Sequence, residues 1–216
     1  MHRPLVCLLG LSVLATCGAG NQAVKPDEMG AGAHRQEATR ERQLAGAERS
    51  KYHPEEDRPI GGANKGEIGA SSNPTEGHLA TAAQHEKHAR QHEAAARALE
   101  KFEEGECGKL PSSSRAACPL LGPVRSLEDI PGGVRARLVS ATPVDAVVAQ
   151  MRCHYAFARA RGFSENVTCP LYIRGIEIKR GDGPDASEIV SLDPSVEREV
   201  RARAREEAVF GKPSAP

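Results

Sequence analysis

The chain has 216 residues, and its 29 Lys plus Arg are balanced by 29 Asp plus Glu, so the formal net charge is zero. That balance excludes the basic excess that accompanies nucleic-acid binding. Hydrophobic residues make up 39% of the chain, aromatics only 3%, Trp is absent and mean hydropathy is −0.48. Part of the chain is therefore expected to stay outside any core.

Residues 1–16, MHRPLVCLLGLSVLAT, begin with a positive charge at Arg3 and continue as an apolar run from Leu5 to Ala15. A run of about eleven residues is too short to cross a bilayer core of roughly 30 Å as a helix, and it reads as a signal peptide. The run ends in Leu14-Ala15-Thr16-Cys17. This tetrapeptide resembles a bacterial lipobox, in which a Leu and two small residues precede a Cys that is lipidated and becomes the mature N-terminus. The resemblance covers the signal region alone. It implies lipidation of Cys17, a membrane attachment through that lipid, and a place in the cell envelope, on the periplasmic side. Plain secretion, with cleavage near Ala19 or Gly20, is the alternative. Both readings put the mature protein outside the cytoplasm.

Residues 17–75 are rich in Gly and in charges of both signs, with almost no branched apolar residue. They read as a disordered tether, because they offer too little apolar surface to offset chain entropy. As a flexible coil such a segment reaches about 40 Å. A short helix around Glu37 to Arg49 is allowed but shows no apolar stripe. His34 and His53 are isolated and receive no role.

A long helix is expected to begin at Thr75-Glu76 and to end at Gly105 or Gly108, in an alanine-rich stretch without Pro. It carries His78, His85, His88 and His92. At about 100° per residue all four fall within an arc of about 80°. His85 and His88 are three apart and His88 and His92 four apart, spacings at which two imidazoles can share one ion. His85, His88 and His92 are thus candidate ligands for Zn, Cu or Ni. Ala96 and Leu99 fall in the same arc, and Ala95 and Phe102 extend the apolar stripe along its edge. The default reading is a semi-polar seam against another helix, or a surface that takes a protein partner; a pH-sensitive contact is a further alternative.

Beyond the helix, Cys107 to Pro123 reads as a disulfide-closed turn, so that residues 76–123 form one unit. Four cysteines remain outside the signal region and Cys17, namely Cys107, Cys118, Cys153 and Cys169. In an exported protein an even set reads as disulfides. The expected pairs are the local ones, Cys107–Cys118 and Cys153–Cys169, each closing a short loop for about 3 kcal/mol in the chain-entropy model. A four-cysteine zinc site is the rival, without the CxxC spacing that would recommend it.

A Pro- and Gly-punctuated loop is expected up to Gly133, and a small module over 134–210. Val134 to Val139 alternates as a strand. Thr142-Pro143 opens a helix whose stripe is Val144, Val147, Val148, Met151, Tyr155 and Ala158, stopped by Gly162. Cys169 to Arg180 reads as a second strand with a bulge at Gly175. Gly181 to Asp185 is a hairpin turn and Ser187 to Leu192 a third strand. Asp193-Pro194 opens a last helix with charge pairs four residues apart. The fold class is α+β, and the β-α-β-β-α order resembles part of a ferredoxin-like sandwich, one strand short. His154, next to Cys153, is expected on a partly buried helix face, from which it could complete a metal site. No GxSxG, HExxH or phosphate-binding glycine loop occurs, so the chain reads as a non-catalytic binding or structural protein.

Overall fold

A computed structural model describes residues 25–59, 71–120, 122, 124–164 and 168–210. The signal region and Cys17 lie outside the described residues, as do 17–24 and 60–70 of the expected tether.

The described part of 17–75 holds a 19-residue helix, α1 (Ala31–Arg49), preceded by a single 3-10 turn. This corrects the reading of that stretch as tether. A two-residue antiparallel pair, β1 (Arg58–Pro59) with β2 (Ser71–Ser72), leads into α2 (Glu76–Cys107). At 32 residues α2 is about 48 Å long. The two helices form an antiparallel hairpin. Arg35 pairs with Glu100, Arg42 with Glu93 and Arg49 with Glu86, so partner numbers fall by seven as those on α1 rise by seven.

The seam follows the same period. Ala31, Ala38 and Ala45 on α1 and Ala82, Ala89 and Ala96 on α2 are the buried alanines of the hairpin. Alanine at every seventh position lets two backbones approach closely and leaves no branched stripe to notice. Little apolar area is buried per residue this way, so the polar rungs beside the seam matter more than usual. The rungs are His78 with Glu48, His85 with Glu41, and His92 with His34, again seven residues apart on each helix.

Then follow β3 (Val124–Ile130), β4 (Gly133–Leu138), α3 (Val144–Ala160), β5 (Glu177–Arg180), β6 (Ala186–Val190) and α4 (Pro194–Phe210). The four strands form one antiparallel sheet in the order β3-β4-β6-β5. From β4 onward the order is the expected partial ferredoxin-like one. The missing place beside β4 is filled by β3, from the N-terminal side, where the sequence suggested a loop. The module therefore begins at 124 and not at 134. A register shift between Val124 and Ser126 hides this strand by spoiling its two-residue alternation. The expected second strand is shorter than the pattern suggested. Pro170–Tyr172 forms a buried 3-10 turn, and Gly175, at φ 74°, redirects the chain so that pairing starts only at Glu177.

Both module helices cover one face of the sheet. Val134, Ala136, Leu138, Ile178 and Ile189 point into a core with Val147, Val148, Met151, Leu171, Val200 and Ala204. The opposite face is a ladder of charges, with Arg135 on Glu188 at 2.7 Å, Arg137 on Glu128 at 3.2 Å and Lys179 on Glu188 at 3.7 Å. The C-terminal part of α2 packs on α3, and a disulfide joins Cys107 to Cys153 there. The segment that leads into α1 is fastened to the module at the same end of the hairpin. The Arg174 guanidinium donates to the carbonyls of Asp27 at 3.1 Å, Glu28 at 2.7 Å and Gly162 at 3.0 Å. Gly30 and Gly162 pass so closely that a Cβ on Gly30 would meet the Arg161 carbonyl carbon at 2.6 Å.

Candidate metal site

The long helix ends inside the molecule. Cys107, the last residue of α2, bonds to Cys153 in the middle of α3, with Cα atoms 4.7 Å apart and a sequence separation of 46. Neither expected local pair forms. The close partner of Cys107 is the residue that helix packing puts beside it, not the next cysteine along the chain. The described residues 107–120 are consequently not closed by a disulfide of their own. This segment brings the Arg115 carbonyl and Cys118 to the neighbourhood of His154.

Cys118 and Cys169 are free thiols, both buried. Their sulfurs are 3.0 Å apart. His154, fully buried on α3, stands with Nε2 at 3.5 Å from the Cys169 sulfur. Cys118, His154 and Cys169 each offer one ligand atom, and these atoms all lie within 4.8 Å of one another. Among the described residues no other group of three or more His, Cys, Asp or Glu meets that distance. The three side chains come from three segments: the one that follows α2, α3 itself, and the entry to the Pro170–Tyr172 turn.

The imidazole is oriented for ligation. His154 Nδ1 is 2.7 Å from the Arg115 carbonyl, which accepts only and so holds the proton on Nδ1. That leaves the lone pair of Nε2 facing the sulfurs. A metal-bound histidine is commonly held in this way, its second nitrogen donating to a backbone carbonyl. The Arg115 side chain is itself tied to Glu103 of α2 at 3.0 Å, and the Tyr172 ring packs 5.1 Å from the imidazole.

The two thiols are not equivalent. The hydrogen bond from Cys118 brings the Cys169 thiol down to about 6, with His154 helping and burial opposing. Cys118 is pushed well up, first by that same bond to Cys169 and then by burial. The arrangement is a thiolate on Cys169 accepting from a thiol on Cys118. Thiolate is the form that binds metal. Two sulfurs and an imidazole nitrogen converging on one point can hold a metal ion.

The histidines of the long helix are placed differently. His85 Nδ1 lies 2.7 Å from Glu41 and His88 Nδ1 3.7 Å from the same carboxylate oxygen. His92 faces His34 at 2.9 Å, and His78 faces Glu48 at 2.7 Å. His85, His88 and His92 are not gathered at one point, and His154 is turned from them toward Cys169. The semi-polar seam is what they form, and the helix that covers them is α1 of the same chain. His34, read as isolated, is a buried member of that seam. No CxxC-like spacing announced the Cys118–His154–Cys169 group. The only local signal was the adjacency of Cys153 and His154, in which one residue clips the helices and the other faces the two remaining thiols.

No protein-family model matches the chain, and no curated protein or solved structure matches it.

Proposed function

We propose that this protein is an exported, non-catalytic envelope protein, held to the membrane by a lipid on Cys17, whose folded body binds one transition-metal ion through Cys118, His154 and Cys169. The observation that carries the metal reading is the convergence of three buried ligand atoms within 4.8 Å, with the imidazole tautomer set by the Arg115 carbonyl. Two thiolates and one imidazole suit Zn²⁺ before the harder divalent ions. The Cys107–Cys153 bond supports export, since such bonds persist in oxidising compartments. The signal-like start with Leu14-Ala15-Thr16-Cys17 supports the lipid anchor. Burial keeps the two thiols from bulk oxidants on the way to the site.

Metal titration of the full chain, with Cys118 and Cys169 reduced, tests the reading. One Zn²⁺ per chain is expected, measured by competition with a chromophoric chelator and by elemental analysis. Binding should be lost in Cys118→Ser and Cys169→Ser and kept in the triple variant His85→Ala, His88→Ala, His92→Ala. Equal binding by wild type and the two serine variants would remove this site. Recovery of a Cys118–Cys169 disulfide with no metal from cells would assign the pair to the covalent frame instead. Mass spectrometry of the mature N-terminus tests the lipid on Cys17.

A further inference from the structure

We infer that the metal site is gated by a disulfide: Cys118 and Cys169 hold the ion while reduced and release it when an oxidant joins their sulfurs. This rests on the metal reading above and names how that site is regulated. The two sulfurs are 3.0 Å apart. A disulfide bond brings such a pair to about 2.05 Å. A tetrahedral ion with bonds of about 2.3 Å to each sulfur sets them about 3.8 Å apart. The pair stands between the two geometries, about 1 Å from the first and about 0.8 Å from the second.

The two states exclude one another. Thiolate is the form that binds metal, and sulfurs joined to each other are no longer thiolates. Once they are joined, His154 is the only ligand left of the three, and one imidazole does not hold the ion. The chain already carries one joined pair, Cys107–Cys153. A compartment in which that bond persists also favours oxidation of a neighbouring free pair.

Cys118 is the point of entry. It keeps 8% of its surface exposed against 0% for Cys169. It follows a short segment, 111–117, in which Pro111, Ser112, Ser113, Ala116 and Ala117 are exposed. Arg115 ties that segment down, with its side chain on Glu103 and its carbonyl on His154. Burial makes oxidation wait on a local opening of this segment.

The reaction balances with a small disulfide, RSSR, as oxidant. The Cys118 thiolate attacks RSSR, breaks its S–S bond and expels RS⁻, so that Cys118 carries the SR group. The Cys169 thiolate then attacks the Cys118 sulfur, forms the Cys118–Cys169 bond and expels the second RS⁻. Two electrons pass from the cysteine pair to RSSR, two protons from water complete two RSH, and Zn²⁺ leaves with its oxidation state unchanged.

Glutathione disulfide added to the full chain, with Cys118 and Cys169 reduced and Zn²⁺ bound, is the test. Zn²⁺ release to a chromophoric chelator, beyond a control without oxidant, should reach one ion per chain. It should rise in step with a Cys118–Cys169 peptide pair on non-reducing digestion. Free Zn²⁺ at about 100 times its dissociation constant should slow the linkage about 100-fold, because only the ion-free fraction reacts. Dithiothreitol, removed afterwards by gel filtration, should undo the linkage and restore Zn²⁺ binding. Four results would each overturn the gate while leaving the three-ligand site standing: no linkage, linkage with the ion retained, a rate indifferent to Zn²⁺, or a linkage that dithiothreitol does not reverse in the folded chain. Failure of the reduced chain to bind Zn²⁺ would instead remove the metal reading, and the gate with it.

Discussion

His34 Nδ1 stands 2.9 Å from His92 Nδ1 across the helical hairpin, so one proton at most sits between the two facing nitrogens. The other two rungs at this period pair a histidine with a glutamate, His85 with Glu41 and His78 with Glu48. Two of these groups, His34 and Glu48, are held below their ordinary values.

Burial, and secondarily the charge of His92, hold His34 below its ordinary 6.5. A depressed folded value means that the contribution to stability is full above 6.5 and is lost as pH falls through the lower folded value. Glu48 is held below its ordinary 4.5 by Lys51 and then by His78. Its contribution is present above 4.5 and is lost on further acidification. The hairpin should therefore loosen in two stages as pH falls, the first below 6.5 and the second below 4.5. Thermal melts followed by far-UV circular dichroism across this range measure it. His34→Gln should flatten the first stage and leave the second, whereas His92→Gln should only reduce the first; an unchanged first stage in His34→Gln would show that His34 is not its source.

The alanine seam makes a steric prediction. Ala38 and Ala89 are 1% and 2% exposed, in the middle rung of the hairpin. Leu at either position has no room between the backbones, and overpacking of this kind costs about 1–3 kcal/mol. Ala94, on the exposed side of α2, is the control, where Leu should change stability by less than about 0.5 kcal/mol. Urea unfolding of the three variants separates these outcomes. Equal effects at 38, 89 and 94 would mean that the seam is not packed as described.

The seam also explains what the sequence conveyed and what it did not. The stripe Val144, Val147, Val148 and Met151 announced α3, because branched residues at helical spacing have few other uses. The Asp193-Pro194 start announced α4. The stripe of α1 is Ala31, Ala38 and Ala45, and a search for branched residues passes over it. Its signal was the seven-residue recurrence of Ala, then His or Glu, then Arg, which becomes meaningful only beside the matching recurrence on α2. The β3 strand was masked by its irregular register. The metal-capable group was illegible for another reason. Cys118, His154 and Cys169 meet only because α2 packs on α3 and the chain after α2 passes His154, and nothing in their spacing encodes that path.

The helix packing has a covalent consequence. Non-reducing digestion should yield one peptide pair holding Cys107 and Cys153, and none joining Cys107 to Cys118. With 46 residues of separation the bond removes about 4 kcal/mol of unfolded-chain entropy in the chain-entropy model. Replacing both cysteines with Ala should lower unfolding stability by an amount of that order. It should also loosen the end of α2 from α3, next to His154, and weaken metal binding as a second effect. A Cys107–Cys118 peptide would contradict the packing of α2 on α3.

The thiol pair allows the site to be probed without metal. In the reduced, metal-free protein the ultraviolet absorbance of one thiolate should rise with a midpoint near 6, the value to which Cys118 and His154 bring Cys169. Cys118 should contribute no thiolate over the neutral range, because its thiol is pushed well up. Cys169→Ser should abolish the neutral-range titration. Cys118→Ser replaces the thiol donor with a hydroxyl and should shift the midpoint only moderately. His154→Phe keeps the ring volume but removes the imidazole contact, and it should move the Cys169 midpoint upward. The sign for stability follows from the depressed Cys169 value. Its contribution is full above 9.0, the ordinary thiol value, and declines as pH falls toward 6; the raised Cys118 value acts oppositely, since that contribution is lost as pH rises beyond 9.0. A midpoint for Cys169 that does not respond to His154→Phe would separate the imidazole from the thiolate and remove the nitrogen ligand from the site.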